Sequence, residues 1–121
     1  MEHKTKIRFP VFLDYTVHVV VTEDIKGSSD KIYDIQPEDD EQNTAAMHVY
    51  PHDGSPEAHI FFNPNRLTYG NIAHESWHCV HRILHWIGAE LENEVVAYHL
   101  GYLVTELHKF FAKNDIAIAL E

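Results

Sequence analysis

TYGNIAHESWHCVHRILHWIG, Thr68 to Gly88, is the stretch that decides the fold. Its apolar residues Ile72, Ala73, Val80, Ile83, Leu84 and Ile87 recur at intervals that fit an amphipathic helix and do not alternate as a strand would. Thr68 with Asn71 offers a start signal and Gly88 a stop. Within this helix His74, Glu75, Ser76, Trp77 and His78 spell His-Glu-x-x-His. Residues four apart on a helix lie one above the other, so the imidazoles of His74 and His78 can converge on one ion while Glu75 points at a water beside it. With 11 His in 121 residues the pentapeptide is expected by chance about 0.1 times, so its position on an apolar-faced helix carries much of its weight.

Working outward, the chain changes character on either side. Toward the amino terminus the apolar residues come in short runs, Ile7 to Leu13, Tyr15 to Val21, Met47 to Tyr50 and His59 to Phe62, rich in Val, Ile, Phe and Tyr and read as strands. Between them Glu23 to Ser29, Gln36 to Thr44 and Pro51 to Pro56 concentrate Gly, Pro, Ser, Asn and Asp and read as loops and turns. Beyond Gly88 a second helical period runs from about Glu92 to Lys113, before Asn114. The fold class expected is α+β, a small antiparallel or mixed sheet followed by two long helices. Residues 1–121 form one domain in this reading, with strands and loops mainly in 1–66 and the two-helix half in 67–121.

Composition narrows the function classes. A hydrophobic fraction of 45% and an aromatic fraction of 12% describe a chain able to bury a core. No run approaches the roughly 20 apolar residues of a membrane span, and Met1 to Arg8 is charged and lacks the apolar centre of a secretory signal. A cytoplasmic protein is expected. A net charge of -10 with nine Lys and Arg argues against nucleic acid, whereas a basic protein partner fits. The acidic runs Glu38 to Glu41 and Glu90 to Glu94 read as solvated loops. Cys79, the single cysteine, can form no internal disulfide, and it faces about 100° away from His78, which favours packing over metal ligation.

A catalytic zinc site takes three protein ligands and keeps one position open. The extended pattern His-Glu-x-x-His-x-x-Gly-x-x-His fails here, because His81 stands where glycine belongs and Leu84 where the last His belongs. A carboxylate from the second helix is the better candidate, and Glu94 is chosen over Glu90 and Glu92, which fall in the turn. A geometric difficulty accompanies that choice. If the first helix continues to Ile87 and the second returns antiparallel, Glu94 lies nearer the level of His85 than of His78. The rival is a stripe of His74, His78, His81 and His85 on one face, with His81 and His85 otherwise read as polar surface or supporting residues.

The run Gly70 to Glu75, followed by His78 and then by Glu94, Ala97, Tyr98, Gly101, Tyr102 and Leu103, resembles small zincin-like metallopeptidases of the gluzincin type, in particular those encoded by phages and prophages. The resemblance covers the helical half of the chain; residues 1–55 resemble no family. It implies a minimal zincin-like fold, Zn2+ held by His74, His78 and Glu94, Glu75 as general base, and a location in the host cytoplasm if the protein is phage-encoded. It also implies that His59 to Phe62 is an edge strand lining the substrate cleft.

Tyr98, one turn beyond Glu94, is the donor that spacing offers to a tetrahedral oxyanion, with Tyr102 and His99 as alternatives and a half-buried packing role as the competing reading. Gly101 is expected to let the two helices approach closely. The function expected is zinc-dependent hydrolysis of a peptide or related amide bond. The alternative is a catalytically silent interaction module on the same scaffold, acting on a host protein. Oligomeric state is not legible.

Overall fold

The computed structural model of the chain describes residues 2–9, 14–33 and 45–120. Among these, strands β1 (His3–Phe9), β2 (Tyr15–Val21), β3 (Ala46–Val49) and β4 (Glu57–Phe62) form one mixed sheet, and helices α1 (Ile25–Tyr33), α2 (Tyr69–Trp86) and α3 (Asn93–Lys113) pack on it. The strand order is β1-β2-β4-β3; β2 and β4 run parallel and the other two pairings are antiparallel. This is the α+β architecture expected, a small sheet followed by two long helices.

The sheet has two differently used faces because side chains alternate along each strand. Toward α2 and α3, Val17, Val19, Val21, Ile60 and Phe62 meet Ile72, Cys79, Ile83, Leu84, Leu103, Leu107 and Phe111, all buried. Each such aliphatic or aromatic side chain contributes about 1.5–3 kcal/mol when fully withdrawn from water, so this layer organises the molecule. On the other face Val20 and Phe61 form a smaller cluster with Ile25 of α1.

Three boundaries differ from the sequence reading. The first strand is His3–Phe9, not Ile7 to Leu13, and residues 10–13 lie outside the described residues. Its charged half extends because Lys4, Lys6 and Arg8 alternate to the exposed side while Ile7 and Phe9 turn inward, a period of two that a run-based reading overlooks. The segment Glu23 to Ser29, expected as a loop, is largely helix. There the Asp24 carboxylate caps the Gly27 N–H at 3.0 Å, and burial of Ile25 and Ser29 against the sheet outweighs the poor helix propensity of Gly-Ser-Ser. The expected loop Gln36 to Thr44 lies outside the described residues.

The third correction concerns the strand beside the motif helix. The expected edge strand, His59 to Phe62, belongs to β4, which is interior between β2 and β3; the edge is β3. Pro51 to Pro56 does turn, with Gly54 at a φ of 83°, a left-handed conformation that favours glycine. The two long helices begin and end close to where their signals lie. The Thr68 hydroxyl accepts the Asn71 N–H at 3.0 Å, Gly88 takes a φ of 74° just past α2, and Asn114 caps α3.

Candidate metal centre

α2 presents three flanks. Ile72, Ser76, Cys79, Val80, Ile83 and Leu84 enter the core, Trp77 and His81 face α3, and Glu75, Arg82 and Trp86 face β3 and the turn after it. His74 and His78 occupy the exposed surface between the last two flanks. Their Nε2 atoms lie 3.2 Å apart, with ring centroids at 4.8 Å. Two imidazole nitrogens bound to one tetrahedral zinc at about 2.0–2.1 Å stand about 3.3 Å from each other. The separation of the donor pair therefore matches that of two ligands on one zinc.

Glu75 lies beside this pair and is only 8% exposed, with Oε2 4.0 Å from His74 Nε2. Burial pushes its carboxyl above the usual range, while the His74 and His78 rings and the nearby His48 backbone N–H pull the other way. Glu75 thus stands beside the His pair and near the main chain of β3, largely withdrawn from water.

Among the described residues no group of three His, Cys, Asp or Glu side chains stands together so as to hold a metal ion. Glu94 is thus not brought to His74 and His78. It is exposed in the first turn of α3, where the Glu92 carboxylate accepts the N–H groups of Glu94 and Val95. The helix register gives the reason. Tyr69 stacks on His108 at one end of the pair, and Trp77 and His81 share a cleft with Val96, Ala97 and Leu100 further along. At 1.5 Å per residue this antiparallel register sets Glu94 about 10 Å along α2 from the midpoint of the His pair. The residue level with that midpoint is Gly101.

Gly101 does not serve the helix contact expected of it. It is exposed, and a Cβ added there meets nothing within 4 Å. Tyr98 is 75% exposed and has neither a hydrogen bond nor a ring contact among the described residues, so it is neither beside Glu75 nor half-buried. Of its alternatives, Tyr102 donates to the Arg8 carbonyl at 2.7 Å, and the His99 ring bonds the Val95 carbonyl and stacks on Phe9. Both serve the β1 side of α3. His81 packs on Trp77 with ring centroids 4.1 Å apart, and His85 is exposed; neither joins a group of three. Cys79 is fully buried, and burial pushes its thiol up, as suits a packed residue. Glu90 and Glu92 are exposed.

Two residues that the sequence reading passed over stand at this site. His48 of β3 lies among Glu75, His78 and Arg82, and burial, with the nearby His78 and Arg82, holds its ring down to about 4 and so neutral. Among the described residues its Nε2 is buried without a hydrogen-bond partner. Arg82 lies over the Tyr50 ring at 4.0 Å. The signal for both was present: Ala46, His48 and Tyr50 share one strand face, and Glu75, His78 and Arg82 share one helix flank.

Compared with protein-family models, with curated proteins and with solved structures, the chain has no match. Among the described residues no helix is long and apolar enough to cross a membrane.

Proposed function

We propose that the protein is a zinc-dependent hydrolase acting on a peptide or amide bond at the carboxyl-terminal side of β3. The observation that carries this reading is the 3.2 Å approach of the His74 and His78 Nε2 atoms beside a buried Glu75. His74 and His78 hold the ion in this reading, and Glu94, implied by the family resemblance, remains the proposed third ligand. When bound, zinc would supply Lewis-acid polarisation of a carbonyl and a water acidic enough to ionise near neutral pH. Glu75 would be the base, taking up a proton on its carboxylate and releasing it to the leaving amine. Among the described residues β3 is an edge strand, whose outer backbone groups would give an extended substrate partners to bond, and His48 lies on it.

Zinc content of the purified protein, measured for the parent and for His74→Ala and His78→Ala, tests the reading. About one zinc per chain in the parent and loss in both variants is the expected result; equal content in all three contradicts it.

A second reading keeps the metal and the scaffold but not the turnover, making the protein a module that binds a host protein. The outward positions of Tyr98 and Glu94 favour it. Retained function in Glu75→Gln separates it from the first.

A further inference from the structure

Among the described residues β1 is the edge of the sheet opposite β3, and the pairing of its neighbours fixes which of its backbone groups face outward. The Thr16 N–H bonds the Pro56 carbonyl and the Thr22 N–H bonds the Phe62 carbonyl, so the even-numbered residues of β2 turn toward β4 and the odd-numbered ones toward β1. Thr5 opposes Val19 and Ile7 opposes Val17, which gives β2 the N–H and C=O groups of Thr5 and Ile7. Those of Lys4, Lys6 and Arg8 are left on the outer side. Tyr102 agrees with this assignment, since its hydroxyl reaches the Arg8 carbonyl from α3 at 2.7 Å. Among the described residues the remaining outward groups have no backbone partner.

Positive charge gathers along the same edge. Lys4, Lys6 and Arg8 are exposed, and Lys109 and Lys113 of α3 line a cavity of about 260 Å³ together with Lys4 and Thr5. On the α1 side a second cavity, about 320 Å³, is lined by Lys4, Lys6, His18, Val20, Ile32 and His59. Five of the nine Lys and Arg thus lie on or beside β1, although the whole chain carries a net charge of -10. Glu2, Asp14 and Glu106 pair with Lys4, Arg8 and Lys109 in exposed contacts that are each worth little, and they leave the edge with a positive excess.

We infer that β1 is a docking edge for an extended acidic segment of a partner protein, which joins the sheet as an added strand with acids at every second position. A residue placed opposite Lys4, Lys6 or Arg8 shares the face of that side chain, so acids two apart meet the three cations in turn. The side chains between them fall on the other face, over the cavity beside α3. A second copy is the wrong occupant, because β1 laid against β1 brings Lys and Arg together, and like charges directly opposite are destabilising. The overall charge does not cancel the local attraction, since exposed charges more than about 8 Å apart are largely screened at physiological ionic strength. The His74 and His78 site plays no part in this docking.

Nuclear magnetic resonance titration of the parent with four peptides tests it: acetyl-Thr-Glu-Val-Glu-Val-Glu-Thr-amide, its analogue with Gln for Glu, and two N-methylated forms of the first, one methylated on the Glu amides and one on the Val amides. The acidic peptide should shift the amides of Lys4, Lys6 and Arg8 and bind about 3- to 100-fold more tightly than the Gln analogue, the range of three cross-strand charge pairs. An added strand bonds β1 along one of its own edges only, so one N-methylated form should lose binding and the other keep it. Lys6→Gln should shrink the preference for acid. Lys6→Pro, which also removes an outward N–H that β2 does not use, should weaken the acidic peptide and its Gln analogue alike. Equal binding of the acidic and Gln peptides, or binding retained by both N-methylated forms, overturns the inference in the parent, where no variant has to fold. So does the absence of binding at about 1 mM peptide. A parent that dimerises without peptide and becomes monomeric in Lys6→Pro has this edge closed by a second copy, which overturns it too.

Discussion

Glu75 carries the most specific chemistry of any single residue here. The residue is 8% exposed, adjacent to the His pair and near the main chain of β3. Glu75→Gln preserves size and most hydrogen bonding but cannot accept a proton, so the variant should keep its zinc and lose hydrolysis by about 10²- to 10⁴-fold. Steady-state rates beside metal analysis check this, and undiminished turnover contradicts it. His59 makes a separate prediction. Burial, with His18 and Lys4 nearby, holds its ring down to about 4 from the ordinary 6.5, and Tyr33 Oη lies 2.5 Å from its Nδ1. The folded state thus excludes a proton that the unfolded chain binds below 6.5. The stability that neutral His59 contributes is complete above that value and is lost as pH falls from 6.5 toward 4. Thermal midpoints across this window should fall less steeply in His59→Gln than in the parent; parallel profiles contradict the assignment.

α2 and α3 explain both the success and the limit of reading this chain from its residues. The start at Thr68, the stop at Gly88 and the apolar spacing between them are local signals, written in adjacent residues, and α2 follows them. Thr68→Ala removes the hydroxyl that accepts the Asn71 N–H and should lower stability by about 0.5–2 kcal/mol in denaturant unfolding; no change contradicts the cap. His74, Glu75 and His78 were legible for the same reason, because one helix sets their mutual geometry. Glu94 and Tyr98 depend instead on the register and rotation of α3 against α2, which sequence spacing does not fix; both are exposed, and Glu94 does not join the His pair. His48 was missed because the strand face and the helix flank that carry its signal are each legible alone, whereas their pairing across β3 and α2 is a tertiary contact that neither segment specifies. If Glu94 does complete the site, the start of α3 must move by about 10 Å relative to α2. Hydrogen exchange of residues 88–95 should then slow on zinc addition. Unchanged exchange alongside tight zinc binding rules Glu94 out as the ligand.

For the molecule as a whole, the sheet and its core set the frame and α2 sets the chemistry. The buried layer of Val, Ile, Leu and Phe anchors one flank of α2, leaving His74 and His78 at the surface and Glu75 against β3. Under the proposed reading the folded scaffold binds zinc more tightly than the unfolded chain does, and a ligand at 100 times its dissociation constant stabilises the folded state by about 2.7 kcal/mol. The measurement that tests the central claim most directly is a thermal unfolding titration with Zn2+ of the parent, His74→Ala and His78→Ala at fixed pH. The account predicts a midpoint that climbs with zinc in the parent and goes on rising with the logarithm of free zinc as expected for one site, with the response absent in both variants. A parent whose midpoint ignores zinc, or variants that respond as the parent does, would contradict it.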